Sequence, residues 1–315
     1  MINTLTSFLP VPIDTISCVC PICSSSEFMP LLAHESFGFR IQTVECSHCG
    51  LVYSNPRPSS SYLKDFYDRR YRFFYEGMRR IDAAYIRKRR LRELAISRFN
   101  RYAKYLPAGV KLLDVGCGAG LFLDEARAKV PDARLFGIEP DSIAVQYCRR
   151  ELGLEVHQGF LEDCEGWEPV DAIGAFHLIE HIDGLNQFVQ ALRAKLEPGG
   201  LVFLETPNCY GSWNGIGMFH LAHLQTFSPE TLGNLFRRNG FEVLASGEIE
   251  DNLEFSNLFL VARENPMQRS ELRTRDEAAS QKLRDKCRQI KSRRALRVLR
   301  TWAKLAYYSA GGQQP

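Results

Sequence analysis

The segment Leu112–Gly120, LLDVGCGAG, limits the possible folds more than any other stretch of this sequence. It overlaps the run Lys111–Val115, which predicts a buried β-strand, and it precedes residues with helical spacing. Glycines at 116, 118 and 120 permit backbone turns that a Cβ atom would obstruct, and they let a ligand approach the main chain. A strand, a glycine turn and a helix in this order predict a ligand site on an α/β sheet.

An acidic residue follows the glycine turn at a distance that suits a nucleotide-like ligand. Glu139 lies nineteen residues after Gly120, in GIEPD at the end of a second predicted strand. A carboxylate at this place can accept hydrogen bonds from both hydroxyl groups of a ribose. The glycine spacing is GxGxG, whereas a nucleotide dehydrogenase more often has GxGxxG.

From residue 111 to residue 262, short apolar runs alternate with helical stretches, which predicts a doubly wound α/β sheet. The predicted strands are Lys111–Val115, Leu135–Ile138, Leu154–His157, Val170–Phe176, Leu201–Glu205, Phe241–Ser246 and Leu253–Ala262. The last two strands have no helix between them, which favours an antiparallel pair at the end of the sheet. Before this region, apolar residues at helical spacing predict one long amphipathic helix over residues 79–105.

Four segments in this order resemble the class I S-adenosylmethionine-dependent methyltransferases. They are LLDVGCGAG at Leu112–Gly120, HLIEHI at His177–Ile182, LEPGGLVFLETPN at Leu196–Asn208 and HLQTFSPETLGNLFRRNGFEV at His223–Val243. The resemblance covers residues 105–265 and is to the branch that modifies small molecules, quinones and glycans. It implies a Rossmann-like sheet of seven strands, methyl transfer as the activity, and S-adenosylmethionine as the cofactor.

The resemblance also implies which residues contact the cofactor. The implied set is Asp114, Gly116, Cys117, Gly118 and Gly120 at the methionine end, Glu139 at the ribose, Pro140, Phe160 and Leu161 at the adenine, and Phe176 and His177 at the methyl group. The family often has an aspartate where Phe160 stands, so Glu162 and Asp163 are the alternative partners for the adenine amine.

Methyl transfer from a sulfonium is an in-line displacement, in which the protein aligns the acceptor and removes its proton. Histidine suits the second task because its ordinary pKa lies near neutrality. In related enzymes a Glu-His dipeptide, here Glu180-His181, lies near the acceptor. We therefore predict His181 and His223 as candidate catalytic residues, with a purely structural hydrogen bond as the alternative for each.

Two C-x2-C pairs, Cys20-Pro-Ile-Cys23 and Cys46-Ser-His-Cys49, predict a zinc site of four thiolates. Four protein ligands leave no open position, which indicates a structural Zn²⁺ that replaces the core of a short segment. Cys18 and His48 are alternative ligands. The surrounding stretch, residues 15–57, is rich in Cys, Ser and Pro and predicts a loop-rich module. It also resembles the N-terminal module of methyltransferases in surface-glycan and secondary-metabolite pathways.

The net charge of +3 conceals two strongly basic segments. Residues 69–98 contain 11 Lys or Arg against 3 acidic residues, and residues 266–315 contain 13 against 4. We therefore expect a zinc ribbon at 15–57, a helical linker or lid at 58–106, a methyltransferase core at 107–265 and a basic helical tail at 266–315. Tyr67, Tyr71 and Tyr75 in the linker are expected either to close over the cofactor or to pack in a helix.

No apolar run reaches the ~18 residues of a membrane-spanning helix, and the first residues, MINTLTSFLPVPID, lack the basic start of a secretory signal. We therefore expect a cytoplasmic protein, with the inner face of the membrane as an alternative place of action. The acceptor, the attacked atom and the oligomeric state are not predicted.

Three functions remain open at this point. The first is an enzyme for a small-molecule or sugar acceptor, free or linked to a nucleotide or lipid, whose basic segments bind phosphate or an anionic membrane surface. The second is an RNA methyltransferase that binds the phosphate backbone through the zinc ribbon and the basic segments. The third is a non-catalytic S-adenosylmethionine-binding protein. The first is favoured over the second because FHLIEH follows the fourth strand, where base-amino methyltransferases carry an Asn/Asp-Pro-Pro-aromatic turn.

Overall fold

The computed structural model describes residues 14–36, 39–69, 81–164, 166–211, 218–249, 256–267 and 274–292. These residues form two compact units. The first contains the described residues within 1–77, 213–226 and 274–315, and the second those within 78–212 and 227–273. The predicted core ran without interruption from 107 to 265, whereas residues 218–226 group with the N-terminal segment. Among the described residues, every helix is too short or too polar to cross a bilayer.

The described strands and helices are labelled in chain order. The strands are β1 (Thr15–Ile16), β2 (Phe28–Ser36), β3 (Phe39–Cys46), β4 (Val52–Ser54), β5 (Arg57–Pro58), β6 (Lys111–Val115), β7 (Arg134–Glu139), β8 (Glu155–Gln158), β9 (Val170–Phe176), β10 (Leu196–Pro207), β11 (Gln225–Thr226), β12 (Phe241–Ile249) and β13 (Asn257–Glu264). The helices are α1 (Ser60–Arg69), α2 (Ala83–Lys88), α3 (Leu91–Tyr102), α4 (Leu121–Lys129), α5 (Ser142–Glu151), α6 (Leu185–Ala194), α7 (Pro229–Arg238) and α8 (Glu277–Ser292).

The first unit contains a four-stranded antiparallel sheet in the order β11-β4-β3-β2, beside a small β1–β5 pair. The prediction of a loop-rich module is therefore wrong in part, because β2 and β3 are nine and eight residues long. The fourth strand comes from far along the chain, since Gln225 pairs with Tyr53 and Thr226 with Val52.

A buried carboxylate joins α8 to β3 within the first unit. Glu45 has no exposed side-chain surface, and its Oε2 lies 3.2 Å from Nη1 of Arg284. Ser280 donates its hydroxyl hydrogen bond to the other carboxylate oxygen. Arg275 lies 3.9 Å from the same Oε2, and its backbone N–H donates to the carbonyl of His48. The described part of the basic tail therefore packs on β3, where Arg284 of α8 and Arg275 just before it neutralise a buried acid.

The second unit is built on a seven-stranded sheet in the order β12-β13-β10-β9-β6-β7-β8. Strands β10, β9, β6, β7 and β8 run parallel, and β13 is antiparallel to both β10 and β12. This arrangement confirms the predicted Rossmann-like fold and the antiparallel pair at the end of the sheet. Its core joins strand residues such as Leu112, Ala172 and Phe203 to helix residues such as Phe99 and Phe122, all at most 5% exposed.

The predicted long helix over 79–105 is wrong, because the chain breaks between α2 and α3. Arg90 adopts the left-handed conformation with φ of 53°, and α3 begins at the next residue. The break lets Ile86 of α2 and Ala95 of α3 share one apolar cluster with Leu121. Burial of both segments in that cluster outweighs the helical periodicity, which is a weak local preference.

Of the predicted helical linker or lid at 58–106, residues 70–80 lie outside the part of the chain that the structure describes. Tyr71 and Tyr75 lie outside the described residues, as does the side chain of Tyr67. The tail beyond residue 292 lies outside them as well.

Candidate functional site

The glycine turn lies between β6 and α4, as predicted. Gly116, Gly118 and Gly120 have φ angles of 73°, 53° and 71°, which side-chain-bearing residues rarely adopt. The backbone N–H groups of Gly116 and Cys117 donate to the carbonyl of Ile138, at 2.8 and 3.1 Å. The turn is thus fixed to the neighbouring strand β7, and a Cβ at Gly118 would meet no atom within 4 Å. Open space on that side leaves room for a ligand against the main chain.

Glu139 ends β7 beside this turn, and its carboxylate is 9% exposed. One oxygen accepts from the N–H of Gly118 and the other from the N–H of Asp141, each at 2.9 Å. Pro140, the next residue, is exposed. The structure therefore brings together the glycine turn and the acidic residue that the sequence separates by nineteen positions.

Asp114 is a buried acid in β6, two residues before Gly116, and it is 2% exposed. Its Oδ1 has no hydrogen-bond partner among the described residues. Burial raises the pKa of Asp114 to about 8, a rise that the positive charge of Arg98 partly opposes. A buried carboxyl oxygen without a partner is costly unless a ligand supplies a donor or a cation. The site therefore fits the ammonium group at the methionine end of the implied cofactor.

The predicted adenine contacts lie after β8. Phe160 is half exposed at 49%, whereas Leu161 is 3% exposed. The carboxylate of Asp163 accepts a hydrogen bond of 2.7 Å from the N–H of Phe160, so it caps its own turn. Glu162 is exposed. This geometry favours Glu162 over Asp163 as the partner left for an adenine amine, and the adenine contacts themselves stay a prediction.

Phe176 and His177 lie at the carboxyl end of β9, beside the end of β10. Phe176 is 7% exposed, and the guanidinium of Arg98 lies 4.3 Å from the centre of its ring. His177 has a left-handed φ of 54°, and its N–H donates to the carbonyl of Glu205 at 2.8 Å.

Sequence reasoning missed a buried ion cluster at this same edge. The carboxylate of Glu205, 3% exposed, accepts from Arg98 at 2.7 Å and from Arg101 at 2.5 Å. Arg98 and Arg101 are three residues apart on α3, which puts them on one helix face. That spacing was the available signal, but Glu205 is more than a hundred residues away in sequence. The cluster fixes α3 against the end of β10.

The two candidate catalytic histidines belong to different units. His181 follows β9 in a short 3₁₀ turn next to the buried Glu180, and its side chain is 13% exposed. His223 lies in the first unit, where its Nδ1 is 2.7 Å from the carbonyl oxygen of Met218 and its ring centre is 3.7 Å from that of His220, with the two rings tilted by 37°. Both catalytic assignments stay predictions.

The four predicted zinc ligands form one cluster in the first unit. The sulfur atoms of Cys20 and Cys49 are 3.5 Å apart, as are those of Cys23 and Cys46. All four lie within 4.8 Å of one another, and a tetrahedral zinc site with Zn–S of about 2.3 Å requires sulfur separations of about 3.8 Å. The sulfur of Cys18 instead lies near Ser54 and Asn55, at 4.0 Å from an oxygen of each.

The thiols of this cluster influence one another strongly. Hydrogen bonds from Cys20 and Cys49 hold the pKa of Cys46 far below its ordinary value. The same hydrogen bond to Cys46 raises the pKa of Cys20 to about 12, and hydrogen bonds to Cys20 and Cys46 raise the pKa of Cys49 as well. Cys46 is therefore the most readily ionised of these three thiols. A metal ion bound here would displace the thiol protons.

Comparison with known proteins identifies the family of this chain. The profile of a family described as "Methyltransferase domain" matches residues 85–246, about half of the chain. This span includes the glycine turn, Glu139 and the ends of β9 and β10. The chain belongs to the class I S-adenosylmethionine-dependent methyltransferases. The predicted family, fold and enzyme class are confirmed.

Curated relatives of this methyltransferase include proteins named "Ubiquinone biosynthesis O-methyltransferase". The one from Nitrobacter winogradskyi is 28% identical over 49% of this chain and 65% of its own length. The human mitochondrial protein of that name is 30% identical over 43% of this chain and 42% of its own length. The chain thus spans from about two fifths to just under two thirds of the length of these relatives. A solved methyltransferase from Archaeoglobus fulgidus is 19% identical, with a TM-score of 0.47, and the match covers 58% of this chain and all of that one.

Two glycines of the methyltransferase turn are expected to respond differently to alanine. A Cβ at Gly120 would lie 2.8 Å from the sulfur of Cys148 and 2.9 Å from Leu154, whereas one at Gly118 meets open space. The left-handed backbone costs about 1–2 kcal/mol in each variant, and overpacking adds about 1–3 kcal/mol in Gly120→Ala only. Denaturant unfolding should therefore rank Gly120→Ala as the less stable.

Calorimetry with S-adenosylmethionine measures how the Gly118→Ala substitution affects cofactor binding. Gly118→Ala should stay folded yet bind the cofactor more weakly, because its methyl group occupies the space beside the main chain. Equal stability of the two variants, or normal binding by Gly118→Ala, would contradict this interpretation of the turn.

The buried acid Asp114 predicts a pH dependence of stability. Its pKa is raised from 3.8 to about 8 by burial, so the folded protein holds a proton that the unfolded chain releases above about pH 4. Between these two values the free protein should lose stability as pH rises, by at most about 1.4 kcal/mol per pH unit. Asp114→Asn removes this slope, and paired unfolding curves from pH 5 to pH 8 measure the difference. Parallel curves for the two proteins would show that Asp114 is ionised throughout.

Proposed function

We propose that this methyltransferase transfers a methyl group from S-adenosylmethionine to a hydroxyl oxygen of a small-molecule acceptor. The observation that carries the cofactor half of the proposal is the carboxylate of Glu139 bonded to the N–H of Gly118, at 2.9 Å, beside the glycine turn. The names of the curated relatives, which are O-methyltransferases of ubiquinone biosynthesis, support an oxygen acceptor.

When bound, the cofactor supplies an electrophilic methyl group on a sulfonium. The residues of this chain bind and orient it. Glu139 is expected to exchange its backbone partners for the ribose hydroxyls, and Asp114 to ionise opposite the ammonium group. Phe176 and His177 are expected to border the methyl group, where Arg98 and Glu205 hold the strand ends in place. Phe160 and Leu161 complete the site on the adenine side.

The acceptor class within this proposal is a small molecule with a free hydroxyl group, including sugars and acceptors linked to a nucleotide or lipid. Exposed basic side chains at the end of α2 and directly after it support an anionic acceptor or an anionic membrane surface; they are Arg87, Lys88, Arg89 and Arg90. The same charges are the feature that an RNA methyltransferase would use, so RNA belongs in the test as the second candidate.

We also propose that Cys20, Cys23, Cys46 and Cys49 hold one Zn²⁺ with a structural role. The donor set supports this, because four thiolates at these separations suit tetrahedral zinc and leave no position for a substrate. The metal would then stabilise the sheet of the first unit and take no part in methyl transfer.

Two measurements in sequence test the proposed function. Calorimetry should first detect binding of S-adenosylmethionine to the full chain. Transfer of a labelled methyl group is then measured with phenols, catechols, nucleotide sugars, lipid-linked sugars and total RNA as separate acceptors. Labelling of any of the small molecules supports the proposal, because a non-catalytic binding protein would label no acceptor. Labelling of RNA alone would replace it, and failure to bind the cofactor would overturn it.

A further inference from the structure

Glu180 is a buried carboxylate at the edge of the sheet where methyl transfer is proposed. It lies in the 3₁₀ turn that directly follows β9, and its side chain is 1% exposed. Thr206, fully buried near the end of β10, donates its hydroxyl hydrogen bond to Oε2 of Glu180 at 3.0 Å. Two adjacent parallel strands therefore fix one oxygen of this acid.

The other oxygen of Glu180 faces two imidazole rings. Its Oε1 lies 3.6 Å from Nδ1 of His177 and 4.0 Å from Nε2 of His181. The side chains of His177 and His181 are 30% and 13% exposed, so His177 is the more accessible. A carboxylate at such distances favours the protonated form of an imidazole, most of all where both groups are shielded from water.

We propose that Glu180 is a positioning residue that makes His177 or His181 a stronger proton acceptor, with Thr206 holding the carboxylate in place. This inference rests on the proposed function. It adds roles for Glu180 and Thr206, which have none in that function.

In the methyl-transfer step, the acceptor oxygen attacks the methyl carbon and loses its proton. The new bond is between oxygen and carbon, and the bond that breaks joins carbon to sulfur, whose electron pair stays on the sulfur as a neutral thioether. The proton of the acceptor hydroxyl passes to the imidazole nitrogen. Glu180 then faces an imidazolium, and its negative charge balances the charge that the transfer creates.

Glu180→Gln tests the proposal, because it keeps the shape of the side chain and removes its charge. Imidazole nitrogen signals of the full chain are followed by NMR against pH and assigned by single histidine replacements. In Glu180→Gln the titration midpoint of His177 or His181 should fall by about one pH unit. Asp114, Arg98, Arg101 and Glu205 are further charged groups that the structure describes at this end of the sheet, and they are unchanged in the variant.

Glu155→Gln is the matched control. Glu155 is exposed on β8, and the partly buried His157 lies two residues further along the same strand. Its replacement should move no histidine midpoint by more than a few tenths of a pH unit, because water screens exposed charges.

The NMR experiment separates this proposal from the proposed function. Unchanged midpoints of both His177 and His181 in a folded Glu180→Gln protein would overturn the role of Glu180, even if S-adenosylmethionine still binds. If the parent protein does not bind S-adenosylmethionine, the proposed function is overturned, but the effect of Glu180 on the histidine titration still stands.

Once an acceptor has been identified, Glu180→Gln should lower kcat about 10- to 100-fold with little change in cofactor affinity. The acidic limb of its rate profile should also move to lower pH. Thr206→Val, which removes the hydroxyl donor alone, should show a smaller loss in the same direction. A loss of cofactor binding that equals the loss of kcat would point to a merely structural role.

Discussion

Replacement of Cys46 by serine is expected to remove zinc from the purified protein and to unfold the four-stranded sheet of the first unit. Cys46 ends β3, the strand that joins β2 to β4, so the proposed ion ties the sheet together at its inner strand. Structural zinc contributes about 10–16 kcal/mol in small zinc domains, more than most domains have in reserve. The loss should therefore be complete for this unit, as measured by elemental analysis and by hydrogen exchange of β2, β3 and β4.

Cys18→Ser is the matched control for the zinc prediction. Cys18 precedes the first ligand by two residues, but its sulfur lies near the carbonyl of Ser54 rather than in the cluster. The variant should keep about one zinc per chain and the exchange protection of the parent protein. Zinc-free parent protein with an intact sheet would overturn the assignment, and so would zinc that survives Cys46→Ser.

Replacement of Glu139 by alanine is expected to weaken S-adenosylmethionine binding by about 100-fold or more. Two hydrogen bonds from ribose hydroxyls to a carboxylate contribute about 1.5–3 kcal/mol each, and about 1.4 kcal/mol corresponds to a factor of ten. Calorimetry gives the affinity. Because Glu139 also accepts from Gly118 and Asp141 in the free protein, thermal unfolding of the variant is measured alongside.

Two further variants make the Glu139 result specific. Glu139→Gln keeps an acceptor oxygen and the side-chain volume, so its affinity should fall between those of the parent and Glu139→Ala. Glu155→Ala changes an exposed acid on the next strand of the same sheet and should leave the affinity unchanged. Normal binding by a folded Glu139→Ala protein would remove the ribose contact from the proposal.

Local signals allowed several elements to be predicted to the residue. Strands β6 and β9 occupy Lys111–Val115 and Val170–Phe176, both as predicted. Helix α7 begins where Ser228 caps it and Pro229 takes the first helical position, and both are signals that neighbouring residues alone provide. The glycine turn and Glu139 were predictable for the same reason, since regular strand and helix lengths bring them together.

Contacts between distant segments were not predictable from one sequence. The pairing of Gln225 with Tyr53 transfers part of the predicted core to the first unit, and no local pattern marks it. The left-handed Arg90 breaks an uninterrupted helical periodicity, because Ile86 and Ala95 are both buried against Leu121. In each case the free energy gained by burial exceeds the small local preferences of the chain.

The sequence by itself determined the family, the alternating α/β sheet, the glycine turn with its acidic partner, and the four cysteines that cluster. These depend on short motifs and on spacings within regular elements, which neighbouring residues specify. Only the tertiary structure decided that Glu205 holds Arg98 and Arg101, that α8 neutralises Glu45, and that Glu180 stands between Thr206 and two histidines. Buried charges need partners wherever the fold brings them, and those partners lie on other strands and helices.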